Sequence, residues 1–163
     1  MTEFIAHWKD LLTAFVMSML PVIELRGGIA YAALKGIPFP LAAAVCYVGN
    51  MLPIPFILLF LNRIFLFLER FGWSKKIVDW LDKHARKKSA KVKTAMWWAL
   101  VIFTAIPLPG TGAWTASLIA VVFDVPPRKA LPAVALGVVG ALCIMSALFY
   151  LAPSLFTRFV LKG

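Results

Sequence analysis

A chain of 163 residues that is 62% hydrophobic, 15% charged and +0.88 in mean hydropathy is too apolar for a water-soluble domain. Its net charge of +10 is concentrated: residues 63–93 hold ten Lys or Arg against Glu69, Asp79 and Asp82, a local +7. These bounds exclude an ordinary soluble enzyme or nucleic-acid-binding domain and indicate one compact integral membrane unit, residues 1–163, whose basic block follows the positive-inside rule and meets anionic lipid.

The chain opens Met1-Thr2-Glu3, with no basic stretch ahead of its first apolar run and no small-residue cleavage site after it, so no cleavable signal peptide is expected. Phe4, Trp8, Leu11 and Leu12 share one helical face. That spacing predicts an amphipathic lead-in over residues 1–10, with Trp8 at a membrane interface. The uncharged run Leu11–Ile23 has thirteen residues, where a bilayer span takes about 20. It leads into Pro21-Val22-Ile23-Glu24-Leu25-Arg26-Gly27-Gly28, which places a carboxylate, a guanidinium, a helix breaker and two glycines inside apolar sequence. Ionisable groups at membrane depth are costly and mark functional sites. Proline and glycine let the backbone leave its helical ladder. Residues 11–34 are therefore either one span with a buried Glu24/Arg26 pair, or two half-helices of a re-entrant hairpin turning at Pro21–Gly28. The shortness of both pieces favours the hairpin.

Lys35-Gly36-Ile37-Pro38-Phe39-Pro40 reads as a turn, with proline tolerated at the start of the next helix. Gly36–Asn62 is 27 uncharged residues, a full span with tilt, kinked where Gly49-Asn50 precedes Pro53 and Pro55. Asn50 is either part of a site or an interhelical hydrogen bond. Within Arg63–Lys93, Trp73, Ile77, Trp80, Leu81 and Ala85 fall at helical spacing among lysines, which predicts a basic amphipathic helix on the cytoplasmic membrane surface. Thr94–Phe123 is uncharged but interrupted by Pro107-Leu108-Pro109-Gly110-Thr111-Gly112, leaving pieces of thirteen and eleven residues. Asp124-Val125-Pro126-Pro127 is a turn. Ala130–Thr157 is a second full-length span, where Gly137 and Gly140 permit close helix packing. Cys46 and Cys143 lie in apolar runs as small hydrophobes, and His7 and His84 in polar flanks, so no metal site is expected.

The two halves match. Leu20-Pro21 pairs with Ile106-Pro107 at an offset of 86, and Gly28 with Gly112 at 84. Gly36-Ile37-Pro38 pairs with Asp124-Val125-Pro126 at 88, as do Ala42 with Ala130 and Gly49 with Gly137. Repeat 1 is 11–62, the basic linker 63–93 and repeat 2 94–157. If each broken segment is a re-entrant hairpin, each half crosses once and the halves are inverted, a recurrent transporter design with both termini outside. If each broken segment spans, four spans put both termini and the linker inside. The expected fold is an all-α polytopic membrane protein: two inverted repeats, each a re-entrant helical hairpin plus one transmembrane helix, joined by an amphipathic basic linker helix.

Pro21-Val22-Ile23-Glu24-Leu25-Arg26-Gly27-Gly28-Ile29, Gly36, Gly49-Asn50 with Pro53 and Pro55, and Ile106-Pro107-Leu108-Pro109-Gly110-Thr111-Gly112-Ala113-Trp114 together resemble the family labelled small multi-drug export protein, over nearly the whole chain. That family is similar to the DedA or VTT superfamily. The resemblance implies paired re-entrant hairpins and lipid scrambling or polyprenyl-phosphate translocation, often proton-coupled, in a multi-pass protein of the plasma membrane. DedA-like second hairpins tend to carry an arginine, whereas Ile106–Trp114 is uncharged.

The expected activity is transport of an anionic lipid or lipid phosphate. Glu24 is the candidate coupling carboxylate, with a proton as the coupling ion. Arg26 either tunes Glu24 or binds an anionic head group, because guanidinium matches phosphate. Gly27, Gly28, Gly110 and Gly112 would expose N–H groups at half-helix N-termini, which favour anions. Asn50, Pro107, Thr111 and Trp114 complete the candidate substrate and coupling set. Two alternatives stand beside it. One is an exporter of small cationic amphiphiles with Glu24 as counter-charge. The other is a scaffold in which Glu24 and Arg26 only pair with each other, which needs broken backbone, since residues two apart on a helix do not face each other. No nucleophile–base set, metal cluster or nucleotide loop is visible, so neither an enzyme nor a cofactor is expected. The expected partners are the bilayer, its anionic lipid and further copies of the chain, since two full spans enclose little volume; nucleic acid is not among them.

Overall fold

The structure, a computed structural model, describes residues 2–70, 90–108 and 110–151. They form helices α1 (Thr2–Met19), α2 (Glu24–Leu34), α3 (Phe39–Met51), α4 (Pro53–Arg70), α5 (Ala90–Ala105), α6 (Ala113–Val122) and α7 (Pro127–Ser146). The last continues as a π-helical turn, Ala147–Leu151. The expected surface helix carrying Trp73, Ile77, Trp80, Leu81 and Ala85 falls outside the described residues.

Among the described residues, two apolar helices are long enough to cross a bilayer: Phe39–Phe60, where α3 passes into α4 at Leu52, and Pro127–Leu151. The break at Leu52 precedes Pro53, which has no N–H to continue the ladder. Only 28% and 33% of their most apolar stretches are buried in the fold. Phe56, Leu59, Phe60, Leu136 and Leu148 lie exposed. Apolar side chains exposed along helices of this length suit surroundings that are themselves apolar, as a membrane provides.

The other apolar helices are short. At 1.5 Å per residue, α2 with 11 residues and α6 with 10 are about 15–17 Å long, roughly half of a hydrocarbon core of about 30 Å. α1 differs from the expected division into lead-in and core run. Nothing between Thr2 and Met19 breaks a helix, so the two merge into 18 residues. The turn after it is also tighter than expected, Leu20–Ile23, and Gly27 and Gly28 sit inside α2.

The repeat is written into the backbone. Where α2 ends, the N–H groups of Lys35, Gly36 and Ile37 donate to the carbonyls of Tyr31, Ala33 and Ala32; where α6 ends, those of Phe123, Asp124 and Val125 donate to Ile119, Val121 and Ala120. Every pair is displaced by 88. Gly36 and Asp124 both take left-handed φ values, 68° and 53°, as that terminating turn requires. Pro38 and Pro126 then start α3 and α7 with nearly equal dihedrals. Before the break the offset is 86, because the turn Ile106–Gly112 is longer than Leu20–Ile23.

Packing repeats as well. α1 lies on α2 and α3, while α5 lies along α7. Gly49 faces the Phe15 carbonyl so closely that a Cβ there would come within 2.6 Å of it. Gly137 faces the Val101 carbonyl in the same way, at 2.7 Å. Small residues let the backbones meet without a hydrophobic driving force. α2 and α6 both pack on α7, and α4 packs on α6. Leu25, Ile29, Ala32, Ala116, Ala120 and Val134 form the buried centre between them.

Candidate functional site

The tips of the two broken segments meet. α5 ends at Ala105 and α6 begins at Ala113, so the turn between them presents two unlike helix ends. The C-terminal end of α5 leaves carbonyls without helical partners and carries about half a negative charge; the N-terminal end of α6 leaves N–H groups and about half a positive one. The first half of the chain answers both. The N–H groups of Ala113 and Trp114 donate to Glu24 Oε2 at 3.3 Å and Oε1 at 3.2 Å. Arg26 Nη1 donates to the Leu108 carbonyl at 3.0 Å, and Nη2 to the Ile106 carbonyl at 2.8 Å and to Thr111 Oγ1 at 3.1 Å. The two charged side chains only reach the limit of an ion pair, 4.0 Å between Arg26 Nη1 and Glu24 Oε2. Their principal partners lie across the junction rather than on each other.

Local structure makes this possible. The Glu24 N–H still donates to the Leu20 carbonyl, and the Gly27 N–H to the Ile23 carbonyl. Between those bonds Glu24 adopts φ 51°. A non-glycine residue held there costs about 1–3 kcal/mol and is over-represented at functional sites. Residues two positions apart do not face each other on a regular helix, yet both side chains reach the turn between α5 and α6. Opposite Glu24, Gly112 is buried against its carboxylate; an added Cβ would overlap Oε2 and lie 2.7 Å from Oε1.

Thr111 organises the turn around Arg26. Its hydroxyl lies 2.7 Å from the Ile106 carbonyl and 2.8 Å from the Leu108 carbonyl, and donates its one proton to either. It accepts from Arg26 and from the Leu108 N–H at 3.2 Å. Gly110 supplies a left-handed φ of 81° in the same turn. Trp114 holds the opposite end: its indole N–H donates to the Met19 carbonyl at 3.1 Å, at the C-terminal end of α1.

Here the offset of 88 is informative. It pairs Arg26 with Trp114 and Glu24 with Gly112, in place of the expected match of Gly28 with Gly112. Each member of the first pair therefore caps the broken helix end of the other half with side-chain N–H donors. Only one half carries a carboxylate for the facing N-terminus.

The remaining candidates divide. Gly27 and Gly28 were expected to offer N–H groups to an anion. Instead the Gly27 N–H is bonded within the turn, and Gly28 allows the Ala14 carbonyl and Ser18 of α1 to approach α2. The anion at the α6 N-terminus is the protein's own Glu24. Asn50 is buried in α3 with Oδ1 unpaired, and among the described residues it makes no hydrogen bond to Glu24, Arg26 or the turn. Pro107 ends α5 and has no N–H, so the chain cannot re-enter the helix there. Met19, Ile106 and Leu108 were not anticipated, because they act through backbone carbonyls that side-chain identity does not reveal.

Comparison with known proteins gives one match. The family whose sequence model covers residues 24–144 is described as "Putative small multi-drug export protein". No curated protein and no solved structure matches the chain.

The burial of Gly112 predicts the effect of one methyl group. Gly112 has φ 162°, an extended backbone that alanine adopts readily. Gly112→Ala should therefore act only by displacing the Glu24 carboxylate from the α6 N–H groups. The expected loss is about 1–3 kcal/mol, the cost of buried donors left unsatisfied or of overpacking. Thermal unfolding in detergent checks it, and an unchanged midpoint would show that the carboxylate does not seal this junction.

Proposed function

The chain belongs to the small multi-drug export protein family, and from that premise we propose that it exports amphiphiles with an anionic head through two re-entrant hairpins that enter the membrane from opposite faces. The hairpins are α1–α2 and α5–α6, and the latch between their tips is Glu24 and Arg26. The observation that carries this reading is that one buried carboxylate and one guanidinium join the halves at the ends of helices too short to span. Such half-helices meeting at membrane depth are a recurrent transporter site.

Contacts at the two ends of α7 support opposite entry. At its far end, the Tyr150 hydroxyl donates to the Ile37 carbonyl at 3.0 Å and its ring meets Phe39, at the open end of the first hairpin. At its beginning, the Lys129 carbonyl, a few residues past the end of α6, accepts from the Trp97 indole of α5 at 3.1 Å. In this topology the basic segment 63–93 is cytoplasmic in the plasma membrane and both termini are outside. Two spans per chain enclose little volume, so the transport path is completed by a further copy.

The substrate class follows from which charge is accessible. Side-chain exposure is 17% for Arg26 and 6% for Glu24, so the cation is presented and the carboxylate lies behind it. Around it the tips are apolar and exposed, with Val22 at 92% and Leu20 and Leu108 partly so. A guanidinium in an apolar setting suits a phosphate or carboxylate head with a hydrocarbon tail, lipid phosphates included. Glu24 supplies the coupling. A proton on it removes the negative charge held by α6 and Arg26, the latch opens, and Arg26 becomes available to the head group. Its return to the carboxylate state recloses the tips.

Two experiments test the reading. In a background without Cys46 and Cys143, single cysteines at the exposed positions Lys35 and Lys129 should label from opposite sides of the membrane. Labelling from the same side would establish four full spans. In proteoliposomes, the wild type should move a fluorescent lipid phosphate under a proton gradient. Glu24→Gln should lose the gradient dependence, and Arg26→Gln should lower the rate tenfold or more. Uptake confined to cationic dyes would overturn the anionic assignment.

A further inference from the structure

We propose that the three oxygens holding Arg26 form a sodium site, of which the guanidinium is the tethered occupant in this state. The inference rests on the preceding reading in one respect: Arg26 must withdraw when the tips part.

The Ile106 and Leu108 carbonyls and Thr111 Oγ1 converge on one guanidinium. They are also neighbours of one another, with Thr111 Oγ1 at 2.7 Å and 2.8 Å from the two carbonyls. The result is a compact oxygen cup at the negative end of α5. Unwound carbonyls and half-helix C-terminal ends are what transporters offer to sodium. A hydroxyl has two lone pairs beside its proton, so Thr111 can ligate an ion while still donating to one carbonyl.

Capping alone does not explain a cation here. At the equivalent end of α1, a neutral indole N–H closes the Met19 carbonyl. What sets the α5 end apart is the third oxygen from Thr111 and a carboxylate oxygen 4.0 Å from Nη1. When Glu24 is protonated and Arg26 withdraws, the cup is lined by neutral oxygens alone, which suits an ion of single charge. Oxygen-only ligands suit a hard cation such as sodium.

When Arg26 leaves, sodium takes the cup and keeps the α5 end neutralised. When Arg26 returns, it expels the ion. The two cations are thus alternative occupants, and sodium stabilises the open state.

The test is the thermal midpoint of purified protein in sodium, potassium and choline chloride at equal ionic strength. Wild type should unfold at one midpoint in all three. Arg26→Ala should be less stable in choline, and sodium should raise its midpoint saturably by several degrees, beyond the effect of potassium. Arg26→Ala with Thr111→Val should lose that response. An equal midpoint of Arg26→Ala in sodium and choline overturns the site, as does a sodium response that survives the loss of the Thr111 hydroxyl. So does an Arg26→Ala chain that stays unfolded in sodium as well as in choline. The midpoints report ion binding alone. Transport without a sodium response removes this site and leaves the export reading, and a sodium response without transport does the reverse.

Discussion

A broken helix leaves a negative end and a positive end that must both be satisfied, and this fold depends on how that is resolved. The second broken segment places the two ends either side of one turn, at Ile106–Gly112. The motif Glu24-Leu25-Arg26 from the other half of the chain supplies a carboxylate to the positive end and a guanidinium to the negative end. Each end is satisfied by a charge of opposite sign, with charge-assisted hydrogen bonds that are strong where the dielectric is low.

Several otherwise unrelated features follow from that arrangement. Glu24 holds an unfavourable φ at the point where the chain turns from α1 into α2. Gly112 has no side chain because the Glu24 carboxylate lies where a Cβ would be. Thr111 stands where one hydroxyl meets both carbonyls of the turn, donating to one of them, and accepts from the guanidinium. Trp114 performs for α1 what Arg26 performs for α5, with a neutral donor. The two equivalent positions differ in charge: one tip carries both charges, and the other carries the helix ends that receive them. The close approaches at Gly49 and Gly137 belong to the scaffold, since they set α3 on α1 and α7 on α5 identically in both halves.

Much of this was legible in residues. Proline and glycine marked both breaks, the uncharged runs marked the long helices, and Glu24 and Arg26 stood out because charge is costly in apolar sequence. The recurrence of Gly49 as Gly137 and of Pro38 as Pro126 located the repeat. What stayed hidden was carried by the backbone. Carbonyls such as those of Met19, Ile106 and Leu108 have no signature in side-chain identity. The glycines were legible as exceptions but not in their reasons: Gly28 serves helix contact, and Gly112 makes room for a carboxylate. The lead-in and first run read as separate because their composition changes, although no residue between Thr2 and Met19 interrupts a helix. Matching Gly28 to Gly112 by residue type misplaced the register by four positions, which hydrogen bonds at the ends of α2 and α6 correct.

The central claim is directional: Glu24 belongs to the α6 N-terminus and Arg26 to the α5 C-terminus, and their attraction for each other is secondary. The charge-swapped double variant, Glu24→Arg with Arg26→Glu, measures this most directly when its thermal midpoint is set beside both single changes. The swap keeps a carboxylate and a guanidinium two positions apart but presents each to the helix end of its own sign. The account predicts a double variant no more stable than the weaker single one. Recovery to the wild-type midpoint would show that the pair serves only itself, and would contradict it.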